Sequence, residues 1–191
     1  MLTACHQVVL NGDFDDAFKS GAIYLSNYPA CFIGKEAHWH GLRTRVAKNF
    51  QVDVSSIRLA GSGHLGVSAF KKTSFKSRDS DLDLAIISPN LFAKYLGWVI
   101  VSTQSFRRLS NFPRLRDGKS GVESFKQYVS EKGMIRPDLL PAGKFKTEWI
   151  DFFREISSEY EGFCKNISAA IYITEDCFVE KQVPTVREMR K

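Results

Sequence analysis

Two rhythms run along this chain, one of three- and four-residue steps and one of short apolar runs. In "DDAFKSGAIYLSNY" (15–28) and "GKEAHWHGLRTRVAKNF" (34–50) apolar residues recur at mixed three- and four-residue spacings. That spacing predicts helices over the opening third. Positions 52–56 form a polar joint, and "IRLA" (57–60) reads as a short strand. "GSGHLG" (61–66) holds three glycines in six residues and predicts a turn or loop, which a basic stretch continues to Ser80. "LDLAII" (82–87) is the second strand. Ser88, Pro89 and Asn90 end it, with Pro89 placed to open a helix from Asn90 to about Leu96. "GWVIVST" (97–103) fits either a strand or the tail of that helix. Residues 106–119 predict an irregular basic segment broken by Pro113. "VESFKQYVSEKG" (122–133) predicts a helix ended by Gly133. "IRPDLLPAG" (135–143), with two prolines, is a loop. "FKTEWIDFFREISSEYEGF" (145–163) places Trp149, Phe152, Phe153, Ile156 and Tyr160 on one side of an amphipathic helix. "ISAAIYIT" (167–174) is a last strand, followed by a charged helical tail. No internal repeat or low-complexity tract interrupts this order.

The pattern gives an α/β (α+β) chain: a small mixed β-sheet with flanking helices. It is read as a single domain, with a helical arm over about 1–55, a core over about 56–175 and a C-terminal tail over about 176–191. Its 191 residues are 43% hydrophobic and include 15 Phe, 6 Tyr and 3 Trp, enough for a sizeable core. The apolar run "YLGWVIV" (95–101) is too short for a membrane span, and the N-terminus lacks the basic start and long apolar centre of a secretion signal. Cys5, Cys31, Cys164 and Cys177 are scattered without metal-ligand spacing, which favours free thiols in a reducing, cytoplasmic setting.

The formal charge of +6 is unevenly spread. "FKKTSFKSR" (70–78) holds four basic residues and no acid, and "FRRLSNFPRLRDGK" (106–119) holds five against Asp117. Each reads as a contact for a polyanion such as nucleotide or nucleic acid, or as a solvated basic loop. Lys71, Lys72, Lys76 and Arg78 are candidate phosphate clamps. Phe70 and Phe75 could stack a base or simply pack. Arg107, Arg108, Arg114 and Arg116 alternate with Phe106, Leu109, Phe112 and Leu115, as in a nucleic-acid groove or an ordinary amphipathic segment.

The chemistry concentrates in "SRDSDLDLAII" (77–87). Asp81 and Asp83 stand two residues apart at the mouth of an apolar strand, and residues i and i+2 of a strand face the same side. Two such carboxylates repel unless a cation lies between them; buried and metal-free, one would keep its proton. Oxygen-only ligation suits Mg²⁺ or Mn²⁺, which binds one or two carboxylates together with substrate phosphates. Twenty residues earlier a strand runs into Gly61-Ser62-Gly63. There glycines let backbone N–H groups close on phosphate oxygens and the Ser62 hydroxyl adds a donor.

Together "LAGSGHLG" and "SRDSDLDLAI" resemble the signature of the nucleotidyltransferase superfamily typified by DNA polymerase beta, over about 57–87. The resemblance implies a palm-like core and a minimal, stand-alone enzyme. It would transfer a nucleoside monophosphate from an NTP, ATP in the first instance, to an acceptor hydroxyl on a nucleic acid, a nucleotide or a partner protein. Asp81 and Asp83 would hold the metal ions, Gly61 and Ser62 the β- and γ-phosphates, and Ser80 matches the Ser-Asp that often opens the second strand. By analogy, toxin–antitoxin, stress or antiviral-defence settings follow. The chain departs from the signature twice. Its loop from Gly61 to Asp81 is long and basic. The later strand that would carry a third carboxylate, "ISAAIYIT", contains no acid. Glu175 and Asp176, just past its end, are the favoured substitutes, ahead of Asp138 and Asp151. The rival reading is an inactive nucleotide- or RNA-binding module, or an antitoxin-like regulator. His38 and His40 read as helix surface, and His64, inside the glycine turn, as a candidate contact to phosphate or sugar.

Overall fold

The computed structural model describes residues 2–115, 118 and 120–191. Four strands form one mixed sheet, β1 (Ile57–Ala60), β2 (Leu82–Ile87), β3 (Met134–Ile135) and β4 (Ile167–Tyr172), in the order β1-β2-β4-β3. β2 runs antiparallel to β1 and parallel to β4, and the short β3 is antiparallel to β4. The helices are α1 (Ala4–Asn11), α2 (Asp16–Gly21), α3 (Glu36–Phe50), α4 (Gly61–Leu65), α5 (Pro89–Ser102), α6 (Gly121–Lys132), α7 (Lys144–Glu159) and α8 (Glu175–Met189). A π-helical turn, Ala22–Ser26, continues α2. Among the described residues no helix is long and apolar enough to cross a membrane.

Alternation along the strands divides the interior in two. Leu82, Leu84 and Ile86 of β2 face one core with Ile57, Leu59, Ile167 and Ile171, covered by α3, α5, α6 and α7. Ala85 and Ile87 face a second core with Ala170 and Tyr172, covered by Leu10 of α1, the π turn, Leu65 of α4 and Phe178 and Val186 of α8. Because side chains alternate with period two, every strand residue is assigned to one face of the sheet or the other. Asp83 falls on the face of Ala85 and Ile87, at the end of β2 that α8 leaves uncovered, and is exposed.

The element order agrees with the sequence reading, except that Ile135, read as loop, pairs into β3 and the glycine turn is helical. "GWVIV" completes α5, which is capped by the Ser88 side chain and opened by Pro89. The glycine turn winds into the five-residue α4. The C-terminal tail is a structural helix: Phe178, Val183 and Val186 are buried and Arg187 and Arg190 both pair with Asp16 of α2. The amphipathic α7 buries Trp149, Phe153 and Ile156, as its spacing predicts. All four cysteines are free.

Candidate functional site

Strand pairing builds the site. Ala60 of β1 lies opposite Asp83, which brings the residue after it, Gly61, against that carboxylate. A Cβ placed on Gly61 would stand 3.2 Å from Asp83 Oδ2, and Gly61 itself has φ +63°, the left-handed region that glycine adopts most readily. Two residues on, a Cβ at Gly63 would come within 2.9 Å of Leu82 Cδ2, so α4 settles onto the sheet only because position 63 is bare. Asp83 therefore touches the Gly-Ser turn, bringing together two parts of the sequence motif that lie twenty residues apart.

On its other side Asp83 meets β4. Ser168 is its register partner, and the Ser168 hydroxyl donates to Asp83 Oδ1 at 3.0 Å. Burial pushes the Asp83 pKa up, the Ser168 hydrogen bond works against that rise, and the charge of Asp81 adds to it. Although the residue as a whole is open to solvent, its carboxyl is set down among neighbours that replace water. Asp81 is exposed, and its charge also helps raise the buried Cys164 thiol, which burial chiefly pushes up to about 11. The carboxylates thus form an electrostatically coupled pair at one end of β2.

Asp83, Gly61 and Ser168 line a groove of about 1,020 Å³ that passes over the edge of β4 to α7. Lys165, Lys181, Arg154 and Arg136 line it too, as do Asp138 and Glu161. β3 pairs only with Ile171 and Tyr172, so the first part of β4 has no strand beyond it, and the groove occupies that space.

The other predicted residues are distributed as follows. Ser62, half-buried, stands in the first turn of α4 and its carbonyl accepts from Gly66 N–H. The Ser80 hydroxyl accepts from Lys76 N–H at 3.0 Å and its carbonyl from Lys165 N–H, so Ser80 closes the turn that leads into β2. Neither substitute third acid reaches the aspartates. Glu175 pairs with Arg58 at 3.1 Å, beyond the far end of β4, and Asp176 lines a separate groove between α6 and α8. Asp138 shares the groove of Asp83 but is held by Arg136, and Asp151 by Arg154. Among the described residues no three His, Cys, Asp or Glu side chains converge as a metal cluster.

His64 is not a phosphate contact. It is 1% exposed, bonds the Ile23 carbonyl through Nε2 at 2.7 Å, and lies tilted against the rings of Tyr24 and His6. Burial drops its pKa to about 4. His38 and His40 lie on the surface of α3. In the basic loop Lys72 pairs with Glu188 of α8 and Phe75 packs toward Phe163, while Lys71, Lys76, Arg78 and Phe70 are exposed. Phe106 and Phe112 turn inward onto Phe125, leaving Arg107, Arg108 and Arg114 outside; Arg116 lies outside the described residues.

Ser168 is the residue beside Asp83 that reading the sequence misses. Its signal is visible afterwards: it is the one polar residue inside the apolar run "ISAAIY". Only the parallel pairing of β4 with β2 turns that interruption into a contact with Asp83.

Compared with models of known protein families, with characterised proteins and with solved structures, the chain matches none.

Proposed function

We propose that this chain is a metal-dependent nucleotidyltransferase, moving a nucleoside monophosphate from an NTP to an acceptor hydroxyl with release of pyrophosphate. The observation that carries the reading is the close approach of Asp83 Oδ2 to Gly61, because it sets one carboxylate of the Asp81/Asp83 pair beside the glycine turn. The donor set fits a hard divalent ion: two coupled carboxylates, one of them with a raised pKa that a cation would relieve, and room in the groove for substrate phosphates. Asp81 and Asp83 would hold Mg²⁺ or Mn²⁺, which when bound supplies charge neutralisation of the triphosphate. Gly61 and Ser62 would receive the β- and γ-phosphates, and Ser168 keeps the Asp83 carboxyl turned toward them. Lys165 and Lys181 give the groove cations for an anionic acceptor.

Incubation with labelled NTPs and Mg²⁺ or Mn²⁺, across nucleic-acid, nucleotide and protein acceptors, tests this. Wild type should transfer label and Asp81→Ala/Asp83→Ala should not; transfer that survives the double substitution overturns the mechanism.

One observation favours a second reading. The β4 position in register with Asp83 holds a serine where a third carboxylate would complete a catalytic set. On that reading the chain is a nucleotide- or RNA-binding module: NTP affinity would depend on Mg²⁺, and no pyrophosphate would appear with any acceptor.

A further inference from the structure

We propose that copies of this chain join head to tail through two surfaces on opposite faces of the sheet, one acidic and apolar, the other basic and apolar. Six of the ten large hydrophobic side chains exposed among the described residues lie in these two places.

The first surface is the corner between α1 and α2. Val8 is 73% exposed, and the Phe14 and Phe18 rings stack at 4.4 Å on the outside of the molecule. Phe14 lies so close over Gly12 that a Cβ there would be 2.9 Å from its ring and 3.5 Å from the Val8 carbonyl. Phe14 and Phe18 therefore form one stacked apolar patch, with exposed Val8 on the neighbouring helix α1. Asp13 and Asp15 flank Phe14, both exposed and neither in an ion pair among the described residues.

The second surface is the end of α5. Ile100 and Val101, the latter 77% exposed, point outward from its last turn. The chain then passes through Gln104, Ser105 and Phe106 at φ +51°, +55° and +62°, three consecutive non-glycine residues in the left-handed region. The buried Thr103 holds this turn: its hydroxyl donates to the Val99 carbonyl at 2.7 Å and accepts from Phe106 N–H at 3.1 Å. Thr103 also accepts at its carbonyl from Arg107 and Arg108 N–H, and Ser105 N–H donates back to Ile100. Strained turns of this kind persist where surrounding bonds over-determine them, and they concentrate at functional positions. The product here is a fixed knuckle that sets Arg107, Arg108 and exposed Leu109 beside Ile100 and Val101. Neither arginine has an ion pair among the described residues.

The two surfaces match in sign and in apolar character, and arginine also packs well against exposed aromatic rings. They cannot meet within one copy. Leu10 of α1 anchors the first on the core of one sheet face, and Val99 and Phe112 anchor the second on the core of the other. A surface whose complement lies elsewhere on the same molecule produces heterologous contacts, hence rings or open chains rather than a two-fold dimer.

Sedimentation velocity on the full chain tests this, with circular dichroism to check that each variant folds. Wild type should form species larger than a dimer as concentration rises, and added salt should reverse this. Arg107→Ser/Arg108→Ser and Asp13→Ser/Phe14→Ser, which remove charge without reversing it, should each sediment as monomers. Mixed in equal amounts, the two variants should form a one-to-one dimer and nothing larger, because each retains one intact surface. A wild type that stays monomeric overturns the proposal. So does association that persists in either variant alone, or a mixture that remains monomeric or grows beyond the dimer.

Discussion

Asp83 sits where its charge is costly to keep. Burial raises its pKa above the usual carboxylate range near 3.8, and the neighbouring charge of Asp81 adds to the rise. Above its own pKa it is ionised in both the folded and the unfolded chain, so the folded state carries the full cost. Below the usual carboxylate range it is neutral in both and the cost is gone. Asp83→Asn should therefore raise the melting temperature at neutral pH, by a margin that solvent screening of this exposed residue keeps small, and leave it unchanged in acid. A melting temperature lowered at neutral pH would show that the carboxylate is satisfied in the free protein. The contact at Gly61 makes a second prediction. Gly61→Ala has to hold φ +63° with a Cβ 3.2 Å from Asp83 Oδ2, at a cost of about 1–2 kcal/mol. A denaturant midpoint equal to wild type would mean the turn relaxes away from Asp83. Both aspartates and the Gly-Ser turn were legible in the sequence, since their spacing is local to two short stretches. Ser168 was not, because its meaning comes from a register partner 85 residues away.

Among the elements, α8 shows how a local reading misjudges context. Its sequence reads as a charged helical tail, yet Phe178 is wholly buried, edge-on to both Tyr24 and Tyr172. Phe178→Ala should cost about 3–5 kcal/mol in unfolding free energy. Hydrogen exchange should show α2 loosening together with α8, because Asp16 bridges the two. Loss of protection confined to α8 would count against that coupling. α5 is the opposite case. "GWVIV" is apolar enough for either secondary structure, and what decides is Val99, which must enter the core shared with Leu91 and Tyr95 at helical spacing.

At the scale of the molecule, the two cores meet water and acid differently. The second core encloses His6 and His64 with Tyr24 between α1, the π turn and α4. His64 is neutral in the folded chain down to about 4, while in the unfolded chain it takes a proton near 6.5. Acid thus stabilises the unfolded state first. Stability should fall as pH drops from about 6.5 to about 4, by about 3 kcal/mol in all. His6, lowered by burial as well, adds in the same direction. A denaturation profile flat across that interval would mean the cluster opens without unfolding.

The sequence alone determined the long helices and three of the four strands, and it held the two aspartates and the glycine turn, while β3, α4 and the end of α5 were left to the fold. Periodicity, caps and turn residues act over a few positions, and that information is written locally. Only the tertiary structure decided that β4 lies parallel to β2, that Ser168 rather than Glu175 stands beside Asp83, that His64 is buried and that α8 belongs to the core. Those outcomes follow from which apolar faces cover one another, a competition among distant segments that no single stretch of chain encodes.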